Sequence, residues 1–542
     1  MPTTSVPAQV EEEWIPGTVH FVDIDKSLDV QHNGDSDLVL IPQPSEDPND
    51  PLKWSSLKKN LQFLLLWFWA FLTAVATNWS GPAWTDWTVD FNTTYTILNN
   101  TSAVGWCFLG VGCLILQPTA MKFGRRGVYI FATLCQLFGN VIGGVSHSVG
   151  ELYGCNIMTC FAGAPCDSLV QISITDVFFQ HERAHRISMM TFALYSGSYL
   201  GPIAAGYVVE SQGWRWCFWY LVIFFGVILG LQIPFMQDTT FVRHDIKGEE
   251  ENIMTQIISK EDGINVAEKK GEKVNVTDVE SATNIPLKRT CLQSLRVIES
   301  QYNDKRPWYV IFLRPCMALG LPAFVWGGFV YGVQVMWLSL MATTQSEFFA
   351  YPPYNFGAAA VGDTNFSCLI GTFFGTFWGG TLSDKFAAWM SRRNSGIFEP
   401  EFRLWFILLP AVLNSAGLLM YGLGLNAGIH WIFPGGFGMA FMGFGMGSAG
   451  ALTITYALDC YPDMQSEGLV LMLFLRNMIG MGFTFAIQPW LDRDGMVTTT
   501  WLMFMLSMVF NFSFLIFVKW GKCFRRSTKN WYLKYSDPKV LF

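Results

Sequence analysis

The stretch Gln237–Arg306 reads QDTTFVRHDIKGEEENIMTQIISKEDGINVAEKKGEKVNVTDVESATNIPLKRTCLQSLRVIESQYNDKR, and it splits the chain in two. It is long, charged and poor in aromatics. It cannot bury enough apolar surface to build a core, so it is predicted to be a linker. Hydrophobic runs of about 20 residues flank it, long enough to cross a hydrocarbon layer of ~30 Å at about 1.5 Å per residue. Six runs precede it, near 60–80, 102–121, 128–147, 152–175, 187–209 and 216–236. Six follow, near 316–342, 362–383, 404–425, 431–457, 468–490 and 496–518. In lipid a span must satisfy its own backbone, which a helix does within one segment. The expectation is therefore an all-α membrane protein with twelve transmembrane helices in two pseudo-symmetric six-helix bundles. The expected divisions are a disordered N-terminal tail (1–59), a first bundle (60–236), a linker (237–307), a second bundle (308–518) and a C-terminal tail (519–542).

Composition agrees with this division. Hydrophobic residues make up 51% of the chain and charged residues 14%, which argues against a string of soluble domains. The net charge of −7 is spread over tails and loops and implies no nucleic-acid partner. Cysteines such as Cys107, Cys113, Cys155 and Cys160 fall inside spans without framework spacing, and read as packing residues. Met1 to Asn60 is polar and acidic and shows no signal peptide. Lys122, Arg125, Arg126, Arg183, Arg186, Lys385, Arg392, Arg393 and Arg403 gather on one side of the spans, with the linker and the C-terminal basic residues. Only Arg215 and Arg493 lie on the other. The bias places both tails and the linker in the cytosol. The opposite loop between the first two spans carries sequons at Asn92, Asn99 and Asn100, candidates for glycosylation. The sequons at Asn78, Asn275, Asn365 and Asn511 are discounted because they fall in or near spans or in the linker.

No phosphate-cradling G-x-x-x-x-G-K-[ST] run occurs, and no metal-ligand or nucleophile constellation is present in the sequence. The sequence therefore calls for no cofactor and no metal, and reads as a carrier rather than an enzyme. The remaining general mechanism is secondary transport, in which two bundles rock about a midplane site under an ion gradient.

Several motifs then fall in order. QPTAMKFGRR (Gln117–Arg126) follows span 2, GGTLSDK (Gly379–Lys385) follows span 8, and GSYLGPIAAG (Gly197–Gly206) lies in span 5. PAFVWGGFVYG, AYPPYNF, EPEFRL and TYALDCYP occupy the second half. Over roughly residues 40–525 the chain resembles the major facilitator superfamily, and closely the fungal twelve-span drug:proton antiporters, near the branch of polyamine and histidinol permeases. The resemblance implies gating roles for Gly124, Arg125 and Arg126, for Gly380, Asp384 and Lys385, and for Gly197, Gly201 and Pro202. It also implies a small-molecule substrate, protons and the lipid bilayer as partners, a monomer, and the plasma membrane as location. Two positions depart from the pattern. Met121 stands where the first gate motif has an acid, which removes a charge-based latch there. Asn156-Ile157-Met158-Thr159-Cys160 stands where span 4 has R-x-x-Q-G, which bears on proton coupling.

The residues themselves support parts of this. Gly197 and Gly201 share one helix face and allow close approach, either at the interface of the halves or in ordinary packing. Asp384 serves either as a state-dependent latch or as part of a topology anchor. Asp167 is an ionisable group well inside a span, so it should face a cavity or a partner. Asn156 and Asp167 share a face of span 4 with Gly163 between them. Asp167 is expected to take a substrate cation or a proton, the alternative being a bond to local backbone. Arg476 lies at matching depth in span 11 and is expected to pair with Asp459 or another gate carboxylate rather than with Asp167. Asp363 lies either at the cavity mouth or in a wet loop. Trp326, Tyr331, Gln334 and Tyr456 complete the expected site, with Asn78 and Trp79 at the end of span 1; aromatic faces and a carboxylate suit an amine. The functional expectation is proton-coupled alternating access for an organic cation or drug-like molecule. The alternatives are efflux of a neutral or acidic metabolite, and a nutrient sensor built on a transporter fold.

Overall fold

The computed structural model describes residues 15–20, 50–178, 180–240, 307–394 and 397–536. The linker expected at 237–307 therefore lies mostly outside the described residues.

The first half comprises α1 (Ser56–Asn78), α2 (Tyr95–Phe123), α3 (Arg125–Gly144), α4 (Val149–Val177), α5 (Gln180–Gln212) and α6 (Arg215–Phe235). The second comprises α7 (Pro322–Phe349), α8 (Asn365–Phe377), α9 (Leu408–Asn426) and α10 (Met439–Cys460), then α11 (465–494) and α12 (496–512). The last two run on as one helical stretch that turns at Gly495, where φ is +74°, a conformation open to glycine. Local chemistry sets several ends. The Ser55 hydroxyl accepts from Lys58 N at 3.4 Å at the start of α1. The Glu151 carboxylate accepts from His147 N at 2.6 Å ahead of α4.

Among the described residues, nine helical stretches are long and apolar enough to cross a membrane, and Pro462–Ser527 holds two crossings, α11 and α12. The two further crossings are α5, whose first turns carry the polar run QHERAHR, and α8, which is broken into pieces. A short helix, Ala358–Asp363, leads into α8; a π-helical turn, Trp378–Leu382, and the helix Ser383–Arg393 follow it.

The packing shows the internal symmetry. In the first half α1 packs on α5, α2 on α4, α3 on α4, and α3 on α6. Adding six to each number gives α7 on α11, α8 on α10, α9 on α10, and α9 on α12, and all four pairs are packed. The halves meet through α2 on α11 and α5 on α8, which exchange under the same operation. Small residues allow the close crossings: a Cβ on Gly447 would fall 2.7 Å from Thr372 O.

The structure corrects three sequence-based boundaries. First, α2 starts at Tyr95, not near 102, because the helix continues past its apolar stretch. Asn99 is consequently buried in it, 1% exposed, and donates to Thr484 O at 2.9 Å, so it is no glycosylation site. Asn100 also lies inside this helix, whereas Asn92 is exposed at a turn with φ +45°. Second, α8 is not one continuous span. Third, the N-terminal tail is not wholly disordered. Residues 15–20 pack against the second half, where Val19–His20 pairs antiparallel with Ile397–Phe398.

That tail segment is pinned by Arg525, 1% exposed. Its guanidinium donates to both oxygens of Glu401, to Pro16 O at 2.5 Å and to Thr18 Oγ1 at 3.1 Å. The first and last described segments thus meet on one face of the bundle, hereafter the terminal face. Breaking a buried ion pair on one side strands the other charge. Arg525→Met is expected to destabilise the protein by about 3–5 kcal/mol, read as a lower melting temperature in detergent. Replacing Glu401 with Met as well should restore most of the loss, because the pair leaves together.

Candidate functional site

Between the halves lies a cavity of about 230 Å³, walled by α1, α2, α4 and α5 from one side and α7, α10 and α11 from the other. Its lining runs from Trp84, near the end remote from the termini, to Gln171 and Ile187 toward the terminal face.

Asp167 and Arg476 both line it, and they pair directly. One guanidinium nitrogen donates to Asp167 Oδ2. A second donates to the Tyr331 hydroxyl at 2.8 Å, and Nε donates to Asn477 Oδ1 at 3.0 Å. The guanidinium also lies 4.9 Å from the centroid of the Tyr331 ring. This overturns the expected Arg476–Asp459 pairing. Asp459 instead meets Arg403 Nε at 2.9 Å, and Arg403 also pairs with Asp384. The depth of Arg476 was legible in the sequence; its partner depended on how α11 lies against α4. Asp167 Oδ1 has no protein donor among the described residues and borders the cavity.

Four other expected positions line this cavity or belong to its rim. Asn156 and Tyr331 are in the wall. So is Gln334, but its amide is occupied: Nε2 donates to Asn511 Oδ1 at 2.8 Å and Oε1 accepts from Asn414 Nδ2 at 3.1 Å. Asn78 lines the cavity as well. Trp326 and Tyr456 do not. Trp326 stacks on Phe517, with centroids 4.5 Å apart, and donates to Ser513 Oγ at 2.7 Å. Tyr456 meets Trp326 edge-on at 5.6 Å in the same apolar cluster. Both belong to the core of the second half, because α7 and α10 are buried on several sides and only one side of each meets the cavity. Trp79 is likewise core, 4.8 Å from Phe218.

The expected gating residues divide by half. Arg125 pairs with Asp176, and its backbone N donates to Asp238 Oδ1 at 3.3 Å, so acids from the ends of α4 and α6 stand in where Met121 lacks one. Gly124, φ +98°, has Asp238 against the space a Cβ would take. Arg126 donates to Ile233 O at 2.6 Å. All these contacts stay within the first half. Cross-half contacts at the terminal face include neutral ones: Gln117 Nε2 donates to Ser466 O at 3.2 Å and Oγ at 3.0 Å, and Trp308 Nε1 donates to Thr119 Oγ1 at 3.2 Å. In the second half, Gly380 belongs to the π-helical turn and Lys385 is exposed.

Gly197 and Gly201 pack α5 onto α1; a Cβ on Gly201 would fall 3.3 Å from Val75 Cα. They serve packing within one half. The other end of that motif meets the second half. A Cβ on Gly206 would lie 2.9 Å from Ala359 Cα, and one on Gly362 would lie 2.7 Å from Pro202 O. Around it the remote end is closed by Ser346 Oγ donating to Gly81 O at 2.6 Å, Ala359 N to Glu210 Oε1 at 3.0 Å, and the Tyr207 hydroxyl to Asp363 Oδ2 at 3.0 Å. Asp363 is thus part of this closure.

The sequence profile of the Major Facilitator Superfamily matches residues 66–485. An uncharacterised MFS-type transporter of Schizosaccharomyces pombe is 30% identical, over 96% of this chain and 94% of its own length. Protein HOL1 of Saccharomyces cerevisiae is 31% identical, over 92% of each. Among solved structures, the proton:xylose symporter XylE superposes with a TM-score of 0.58 at 12% identity, over 86% of this chain and 97% of that one. That likeness concerns the fold.

Gly206→Val should wedge the remote closure apart. A shift of 1.4 kcal/mol toward the state open there corresponds to about tenfold. Ser198→Cys, whose side chain faces the cavity, should then react about tenfold faster with a membrane-impermeant thiol reagent applied from the remote side, compared with the same cysteine in the unwedged protein.

Proposed function

The chain belongs to the Major Facilitator Superfamily, and on that premise we propose that this multi-pass secondary transporter moves a small organic cation by proton-coupled alternating access, with Asp167 taking the cation or a proton in turn. The observation that carries the reading is the Asp167–Arg476 pair. It joins α4 of one half to α11 of the other inside the cavity wall. Rocking the halves apart with both charges bare would leave two unpaired ions in a poorly solvated site, which is strongly unfavourable. A proton on Asp167, or a substrate ammonium taking the place of the guanidinium, neutralises the carboxylate and lets the halves separate. Each nitrogen of Arg476 donates once, to Asp167, Tyr331 and Asn477, and Asp167 retains an open acceptor edge. A cationic ligand fits that arrangement better than an acidic one.

The lysine and arginine bias supports a cytosolic terminal face, and we place the carrier in the plasma membrane as a monomer. Of the sequons on the opposite side, Asn92 is the one with an exposed side chain. A glycosidase-sensitive mobility shift should vanish in Asn92→Gln and persist in Asn99→Gln.

Asp167→Asn is expected to reach the cell surface yet lose transport by roughly 100-fold or more, the order of a buried charge interaction of about 3 kcal/mol. Asp167→Glu should retain part of the activity. Flux into proteoliposomes, with and without a pH gradient, measures this. Gradient-driven accumulation by the Asn variant at the normal rate would overturn the proposal.

A further inference from the structure

Asn78 ends α1 and lines the cavity. Its Nδ2 donates to Ala74 O at 3.0 Å, to Thr77 Oγ1 at 2.9 Å and to Ser198 Oγ on α5 at 3.2 Å. The identity of the nitrogen follows from the partners. Ala74 O can only accept. Thr77 Oγ1 gives its proton to Thr73 O at 3.1 Å or Ala74 O at 3.2 Å. Ser198 Oγ gives its proton to Leu194 O at 3.0 Å. Three acceptors therefore face one side of the amide, so the NH2 must point there and the carbonyl oxygen must point away. Among the described residues no donor reaches Asn78 Oδ1. The wall thus presents a fixed acceptor that the protein itself leaves unused.

Its place relative to Asp167 follows from the packing of α4 on α1. A Cβ on Gly163 would lie 3.5 Å from Thr73 Cγ2 and 3.6 Å from Thr77 Cγ2, so Gly163 sits level with the middle of that turn. Asp167 lies four residues beyond Gly163 toward the terminal face. Asn78 lies on the remote side of the turn. At 1.5 Å per residue the two backbone positions are roughly 10 Å apart along the bundle axis, with the side chains leaning toward each other. The wall between them consists of Gly163 and the methyl groups of Thr73 and Thr77, which suits methylene groups.

We propose that Asn78 Oδ1 is a second anchor of the transport site, selecting elongated cations that carry a hydrogen-bond donor at the end remote from the charge held by Asp167. The proposal rests on the cation reading above. It assigns Asn78 a role in specificity, with Thr77 and Ser198 as positioning residues that fix its orientation.

The test is binding to the full-length protein in nanodiscs, with 1,5-diaminopentane and n-pentylamine as matched probes. The wild-type protein is expected to prefer the diamine by about tenfold, the order of one hydrogen bond from a charged donor. Asn78→Leu, similar in size, should remove that preference. Asn78→Ala serves in its place if the leucine variant fails to fold. Equal affinity of the wild-type protein for the two amines, or a preference that survives both substitutions, overturns the role of Asn78 and leaves the Asp167 reading standing. If neither amine binds, or both bind Asp167→Asn as tightly as wild type, the cation reading falls and this inference with it.

Discussion

Asp167 and Arg476 come from opposite halves of the molecule, and their ion pair lies among helices that lipid surrounds. Charges so placed are retained only when each has a partner or a path to water. Here each charge is the main partner of the other, and Tyr331 and Asn477 take one further donor each from the guanidinium. In the proposed mechanism the pair links the relative position of the halves to the protonation and ligand state of one carboxylate. That is the coupling a gradient-driven carrier requires: an event at the midplane that alters which arrangement of the halves is tolerable.

The rest of the polar structure is arranged around this one charged link. Away from it, the ion pairs seen among the described residues lie within a half. Arg125 with Asp176 stiffens the turn between α2 and α3, and Arg403 with Asp384 and Asp459 ties the end of α10 to the helix that follows α8. Contacts that cross between the halves at the two ends are hydrogen bonds, such as Gln117 to Ser466 and Ser346 to Gly81. Each contributes about 1 kcal/mol net and is readily exchanged for water. The halves can thus move as stiff bodies over weakly bonded rims. Loss of the acid at Met121 fits this pattern, because the rim it would have charged is held by a neutral amide.

Twelve crossings were legible in the sequence because hydropathy over about 20 residues reports the lipid layer directly. Helix ends were less legible. The helix α2 begins at Tyr95 because hydrogen bonding continues beyond the apolar stretch, and with it Asn99 moves from a presumed loop to the interior. Asp167 could be singled out because a lone carboxylate in a span needs an explanation. Its partner could not, since nothing local in α11 distinguishes Asp459 from Asp167 as the target of Arg476. The aromatic candidates failed for a related reason. A helix such as α7, buried on nearly every side, carries no amphipathic stripe, so Trp326 and Tyr331 look alike in sequence. Only packing sends one to Ser513 and Phe517, just past α12, and the other to the cavity. The packed N-terminal segment left no hydropathy signal either, as its hold depends on Arg525 and the antiparallel pairing to 397–398.

The chemical character of the cavity follows from which groups are already engaged. Counted as formal charges, Asp167 and Arg476 cancel. Counted as hydrogen-bonding capacity, they do not. The guanidinium donates to Asp167, Tyr331 and Asn477, while the carboxylate keeps an oxygen toward the cavity. Asn78 repeats the asymmetry with a neutral group, its nitrogen saturated and its oxygen open. Gln334, by contrast, has both ends of its amide engaged within the second half. Asp167 and Asn78 thus each offer an unengaged acceptor in the first-half wall. A ligand rich in donors finds partners there without displacing protein contacts. On the proposed reading, it is these unused lone pairs, more than net charge, that favour a cation.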